Sequence, residues 1–448
     1  MKNNLLLSIG LWILAGSCLP VSAQNGRAAF TGFSFSPDAL EVNPGILPDF
    51  KFHLALPQIQ TTVSNSFSLQ ELFVPEGDSV KLSLNKFNSS KSGPLQVMLE
   101  ERIRLLSLGF NLQSNTYLYL GASVHADVGT ALPAGLFRFV NQGGELNFDG
   151  FNLQASSYID KHVGLIHQMG PYTFGAKFRL INGLYNLNTR NNDLRLISNP
   201  NEISLEADLH LQSSNLQQNN DKGLRSGEFP GIQEVLGNNQ NKGQALDLGI
   251  TYQVDKFQSV GLSVLNLIGF IEWTQNISEF KLSGNYDYPV PVFELNAEDN
   301  PSDLFSGLED TLGKVFTFDT LINPSGYRTR FPLQLIGHYK YQLSSKFSAG
   351  GILSITPGRS AQIMHKPSLT GYVQTDIRRL MSMRLQLHAS TQRIAFGTMF
   401  SLRLLGLQFC MGVDNFRQFY SQSSTKLFQV NAGVSVCFGS RNSKRLLF

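Results

Sequence analysis

Charge is scarce in this chain of 448 residues: Asp, Glu, Lys and Arg together make up 15% of it and leave a net charge of +3. No basic stripe is present, so nucleic acid is not an expected partner. Cysteine is scarcer still. Cys18, Cys410 and Cys437 show no paired metal-ligand spacing; Cys410 and Cys437 could pair in an oxidising compartment, but read better as small residues on late strands. Apart from a short N-terminal run, no stretch approaches about 18 uninterrupted apolar residues, which excludes a helical membrane span. Also missing are a glycine-rich phosphate loop, a His-Glu-x-x-His pair and a Gly-x-Ser-x-Gly elbow. The eight histidines are scattered over separate segments, where a lone His is a hydrogen-bonding group more often than a ligand or base. The expectation is a protein that is not an enzyme, with no cofactor and no metal.

What the chain does have is alternation. Leu246, Leu248, Ile250, Tyr252 and Val254 alternate with Asp247, Gly249, Thr251 and Gln253. Met383, Leu385, Leu387 and Ala389 alternate with Arg384, Gln386, His388 and Ser390, and Phe428 to Phe438 repeats the pattern. Ile203, Leu205, Ala207, Leu209 and Leu211 do the same against Ser204, Glu206, Asp208 and His210. Such segments, about ten residues long, suit tilted strands with one face in hydrocarbon and the other toward a wet or plugged lumen. Four stretches add a hairpin signature of an aromatic residue, a tight polar turn and a glycine: Tyr158 to Gly164, Tyr252 to Gly261, Tyr341 to Gly350 and, more loosely, Phe110 to Gly121. Aromatic rings near short turns are the girdle of a transmembrane barrel. The fold class expected is therefore all-β, a transmembrane antiparallel β-barrel of about 14 strands.

Candidate strands fall near 50–59, 102–112, 117–126, 151–159, 172–181, 203–211, 245–254, 257–266, 331–343, 346–355, 383–391, 402–413 and 426–438, with weaker ones near 186–196, 275–283 and 368–378. Residues 1–23 read as a signal peptide: Lys2, an apolar run from Leu5 to Leu14, and small residues at Val21 to Ala23, with cleavage expected after Ala23. Cys18 offers a lipoprotein signal as the rival reading, although Ala15 stands where a larger apolar residue is wanted. Residues 24–49 form an irregular leader and 50–448 the barrel. Long polar insertions near 72–99, 213–243 and 285–327 are expected on the extracellular side. In the last of these, Pro301 followed by Leu304, Phe305, Leu308, Leu312, Val315 and Phe316 suggests a short amphipathic helix. The polar parity of 172–181 carries Lys177 and Arg179, and that of 203–211 carries Glu206 and Asp208. Basic groups facing lipid near the midplane cost about 2–4 kcal/mol, so these four are expected to form an inward charge cluster.

The leader from Gly32 to Leu47, with Asn43, Pro44 and Gly45, resembles the Asn-Pro-Ala leader of FadL/PorV-type outer-membrane proteins, with glycine in place of the usual alanine. Together with the repeated hairpins and the run from Phe174 to Gly183, the chain resembles an uncharacterised Bacteroidota-type barrel family. The resemblance implies a barrel in the outer membrane of a Gram-negative bacterium, in contact with outer-membrane lipid, whose N-terminal segment folds inward as a hatch. Among such relatives, FadL proteins carry long-chain fatty acids and PorV-type proteins act in type IX secretion. Two functions follow as expectations. One is passage of a hydrophobic small molecule past a pocket of leader residues Phe30, Phe33, Phe35, Leu40, Asn43, Pro44, Ile46 and Leu47. The other is a partner or scaffold role toward a secretion-system or surface protein.

Overall fold

The computed structural model describes residues from Phe30 to Gly439, except 31–32, 34–35, 69–72, 77–78, 83–94, 134, 137, 140–142, 149, 199–201, 220–222, 227–240, 290–318, 323–324, 358–366, 378–379, 391–392 and 421–425. Fourteen antiparallel strands close into a barrel. In chain order they are β1 (Phe52–Asn65), β2 (Leu95–Gln113), β3 (Thr116–Leu132), β4 (Asn152–Met169), β5 (Tyr172–Ser198), β6 (Asn241–Gln253) and β7 (Gln258–Leu265). The other half is β8 (Gln334–Gln342), β9 (Phe347–Ile355), β10 (Ser368–Ile377), β11 (Met381–Ser390), β12 (Arg393–Leu404), β13 (Leu407–Val413) and β14 (Leu427–Phe438). The ring is sealed by β1, which pairs with β2 on one side and β14 on the other. The ring thereby has no first or last strand left as a free edge, the condition for crossing hydrocarbon with strands.

The two faces of the wall are inverted relative to a water-soluble protein. On β11 to β13, Leu385, Leu387, Phe396, Phe409 and Met411 are exposed outward, while Arg384, Gln386, His388, Ser401 and Gln408 are buried inside. The outward band ends in Tyr172, Tyr252, Tyr339 and Tyr341 beside the short turns, with Tyr172 stacked on Tyr252 at 4.8 Å. Asp255 closes the β6–β7 turn by accepting the amides of Phe257 and Gln258, which hold its carboxyl below the usual range.

The glycine that ends each hairpin signature has a common cause. A ring from the neighbouring strand occupies the space beside it inside the lumen: His162 at Gly121, Tyr119 at Gly164, His338 at Gly261 and Tyr372 at Gly350. A Cβ at any of the four would collide with that ring, so a strand position that disfavours glycine here requires it.

Several sequence-based expectations are corrected. Tyr158 to Gly164 is no turn but the middle of β4; Asp160 and His162 face inward, and the reversal comes at Gly170 and Pro171. The segment 402–413 is a hairpin, β12 and β13, whose two-residue turn puts Leu405 at φ 51 and Gly406 at φ 90, and a leucine there hid the turn signal. The strands near 186–196, 203–211 and 275–283 exist, but outside the ring. After Gly183, β5 runs beyond the barrel, where it pairs with Glu202–Ser214, which in turn pairs with Ile277–Pro289. Leu187, Leu194, Leu205, Leu209, Leu211, Phe280 and Leu282 form a separate core for this extension. Of the long insertions, 95–99 belongs to β2, Phe73–Glu76 pairs with Ser79–Leu82, and Leu216–Asn219 pairs with Gly223–Ser226. Residues 1–29, Phe35 and the helix expected near 301–316 lie outside the described residues. Cys410 and Cys437 are both buried free thiols.

Candidate functional site

The leader segment inside the barrel is built from short polar turns. Ser36 Oγ donates to Asp38 Oδ2 at 2.6 Å and accepts the Asp38 amide at 3.2 Å, positioning one helical turn, α1 (Ala39–Val42). Asn43 ends it, and its Oδ1 accepts the Gly45 amide at 2.8 Å in an Asx turn. Pro44 and Gly45 then press flat against the wall at Gly175 of β5 and Gly249 of β6, which face each other in the strand register. A Cβ on Gly175 would overlap the Pro44 carbonyl, and one on Gly249 would sit 2.5 Å from Asn43 Oδ1. The paired glycines are a notch that only bare backbone can fill.

Two apolar clusters flank this notch. Phe30, Phe33 and Val42 pack with wall residues Leu265, Ile336, Ile352, Tyr372 and Met399. Leu40 and Phe50 pack with Tyr117, Tyr119 and Ile166, joined by Leu47. Phe33 also covers Arg384, whose guanidinium lies 5.2 Å from its ring centre and 4.0 Å from that of Tyr372. Of the expected pocket residues, Phe30, Phe33, Leu40, Asn43, Pro44 and Ile46 are buried and Leu47 is half-buried. Two spaces between leader and wall, one beside Phe30 and Asp38 and one beside Glu41, are about 10 Å³ each and bordered by polar and charged side chains as well as apolar ones, room for a water molecule.

Charged groups form a lattice around α1. Glu41 meets Arg102 at 3.0 Å, Lys177 at 3.1 Å and His162 at 3.2 Å, and Asp38 meets Arg104 at 2.5 Å. Behind them Lys177 reaches Asp247 at 3.0 Å, and Arg179 reaches Asp160 at 2.5 Å. Arg102, Arg104, Lys177 and Arg179 are thus set against Asp38, Glu41, Asp160 and Asp247, with two of the carboxylates supplied by the leader. Burying such charges is tolerable because each is paired; removing one partner strands the other in a low dielectric. The expected cluster is therefore divided. Lys177 and Arg179 are inside, whereas Glu206, half-buried, and Asp208, exposed, lie on the extension near Arg195 and Asn191, because their strand is not part of the ring. Reading the sequence missed Asp38, Glu41, Arg102, Arg104, Asp160 and Asp247, although Arg102, Arg104 and Asp247 share the polar parity of their strands.

Beside the lattice the wall is interrupted. β7 ends at Leu265, residues 266–269 leave the ladder with Asn266 at φ 60, and the chain rejoins β6 through Phe270–Trp273. Polar side chains stitch the gap: Asp247 Oδ1 accepts the Asn266 amide at 2.8 Å, and Asn266 Oδ1 accepts Arg179 Nη1 at 2.7 Å. On the outer face behind the notch, Leu165, Phe174, Ala176, Leu248, Ile250, Leu262 and Val264 border an apolar hollow of about 480 Å³.

A closed ring of this size, apolar outside and polar inside around an N-terminal segment, defines a transmembrane antiparallel β-barrel. The chain belongs to the family of unknown function DUF5723, whose model matches residues 44–414. No curated protein matches it. Among solved structures it is similar to the Ralstonia pickettii toluene transporter TbuX, at 11% identity over 90% of this chain and 94% of that one, with a TM-score of 0.40. It is similar to the Pseudomonas putida toluene transporter TodX at 11% identity over 93% and 95%, with a TM-score of 0.41. A Pseudomonas aeruginosa FadL homologue gives 10% identity over 93% and 97%, with a TM-score of 0.40. Likeness this loose carries no argument about what passes through the lumen.

Proposed function

We propose that the protein is an outer-membrane barrel that passes hydrophobic small molecules, with residues 24–49 as the hatch that closes the path. The observation that carries this reading is the apolar strip of wall, Leu265, Ile336, Ile352, Tyr372 and Met399, set among the buried charges of the lumen and covered by Phe30, Phe33 and Val42. An apolar lining suits an apolar solute, and the leader holds it only through non-covalent contacts. Displacing the leader opens the strip, while the ion pairs of Asp38 and Glu41 keep it closed at rest. The long insertions are placed on the extracellular side in this reading.

The second reading is a non-enzymatic partner or scaffold for a surface protein, as in type IX-like secretion. Its support is the filled lumen together with the extension of β5, Glu202–Ser214 and Ile277–Pro289, which has a core of its own beyond the wall. One experiment separates the two. The barrel is purified in mild detergent, its co-purifying small molecules are identified by mass spectrometry, and stoichiometric proteins are sought in parallel. A bound apolar compound displaced by added hydrocarbon supports passage. A barrel free of such compounds that retains a stoichiometric protein through residues 213–243 or 285–327 replaces passage with the partner role.

A further inference from the structure

The lumen is not the only place where charge is concentrated. On the outward face, the register places Lys161 of β4 opposite Leu180 of β5, Leu180 opposite Gln244 of β6, Gln244 opposite Phe270, and Phe270 opposite Arg330. One row farther from the short turns, Lys242 faces Glu272 and Glu272 faces Arg328, while Asn182, across from Lys242, is buried. Strand parity fixes the direction. Asp160, His162, Arg179, Ala245 and Ile271 between these positions are buried inward, while Leu180, Lys242, Arg328 and Arg330 are exposed. Arg328 pairs with Glu272 and lies over the Phe270 ring at 4.4 Å from its centre. Lys161, Lys242, Arg328 and Arg330 thus lie along the outward face of five adjacent strands, Lys161 at one end and Arg330 at the other, about 19 Å apart at four strand spacings, with Glu272 as the acid among them.

Their height on the wall gives the patch its meaning. Tyr252 marks the short-turn end, and Lys242 lies ten residues away along β6, which for a tilted strand is about 25 Å, the height of the outward apolar band of such barrels. Between them the outward side chains include Phe178, Leu180, Leu248 and Leu262, all exposed. The basic patch therefore sits where hydrocarbon gives way to headgroups on the long-connection side. It is also confined to this sector: among the described residues, the outward positions of β8 to β14 carry no charged side chain.

We propose that Lys161, Lys242, Arg328 and Arg330 form a binding site for the phosphate groups of a membrane lipid whose acyl chains lie along the apolar wall below. Two arginines present planar donor forks that suit phosphate oxygens, two lysines add positive charge, and Phe270 holds the Arg328 fork in place. The bilayer is the source of the ligand, because the cluster borders the hydrocarbon band directly. This inference rests on membrane insertion of the barrel but not on what passes through the lumen, so a failed solute search leaves it standing.

The test uses the full-length protein in nanodiscs doped with diphosphoryl lipid A or with the same lipid stripped of its phosphates, and measures protein-bound lipid by native mass spectrometry. Retention of the phosphorylated lipid is expected to exceed that of the stripped one about tenfold, and the triple substitution Lys242→Gln, Arg328→Gln, Arg330→Gln is expected to abolish most of that difference. Heat-modifiable migration of the triple variant confirms that it is folded. Equal retention of the two lipids, or an unchanged triple variant, overturns the proposal. Complete competition by inorganic phosphate also overturns it, since a free anion and not a bilayer lipid would then be the ligand.

Discussion

Replacing Gly45 by alanine restores the residue usual in the leaders this one resembles, and it is expected to loosen the leader. The added methyl would sit 2.5 Å from both the Gly249 carbonyl carbon and the Ile250 amide nitrogen, against an ordinary carbon contact of about 3.5–4.0 Å. Neither side yields easily. Gly249 is hydrogen-bonded into β6 between β5 and β7, and the Asx turn of Asn43 fixes Gly45 from behind. Gly45 has no positive φ, so alanine is not strained in itself and gains about 0.4–1 kcal/mol from a less flexible unfolded chain. Overpacking of this kind costs about 1–3 kcal/mol, so at the middle of both ranges the clash wins by about 1.3 kcal/mol, a factor of roughly 9 in the population with the leader released. The assay is limited thermolysin digestion of the folded barrel, following cleavage between Phe33 and Phe50 by mass spectrometry. Gly337→Ala, where a Cβ meets nothing within 4 Å, is the control. Cleavage of Gly45→Ala at the wild-type rate would refute the notch.

Other outcomes follow from the same contacts. Gly164→Ala and Gly261→Ala, which drive a methyl into the Tyr119 and His338 rings, should each lower stability by about 1–3 kcal/mol, seen as a lower temperature of the heat-modifiable gel shift. Glu41→Gln leaves Arg102 and Lys177 short of a buried carboxylate and should cost about 3–5 kcal/mol of leader docking or barrel stability. Adding Lys177→Met to Glu41→Gln should recover part of that loss in a double-mutant cycle, and strict additivity would count against direct coupling. Glu206→Gln should leave leader protection unchanged, because Glu206 lies on the extension and not in the lumen lattice.

Alternation was the legible part of the sequence, and the reason is physical. Where lipid lies on one side and a polar lumen on the other, as along β6, β11 and β14, period-two patterning follows directly from the solvent on each face. The same signal misassigns 203–211, whose apolar side faces the extension core; alternation reports a buried face without saying which core buries it. The turns closed by Asp255 and by Ser344 to Lys346 are readable from local chemistry, whereas Asp160, Lys161 and His162 imitate a turn because Asp160 and His162 face inward to the lattice while Lys161 between them faces outward. The apolar character of the leader was visible in Phe30, Phe33 and Leu40. Its acids were not, because the value of Asp38 and Glu41 depends on Arg102, Arg104 and Lys177, which are distant in sequence and meet α1 only once the ring has closed.

The central claim is that this chain is a membrane-embedded closed barrel, and fractionation of expressing cells tests it most directly. The mature protein is expected in the outer-membrane fraction, migrating as a folded band on an unboiled gel and shifting on boiling, because a sealed ring of strands resists detergent until heated. Recovery as a soluble periplasmic protein with no shift on boiling would contradict it.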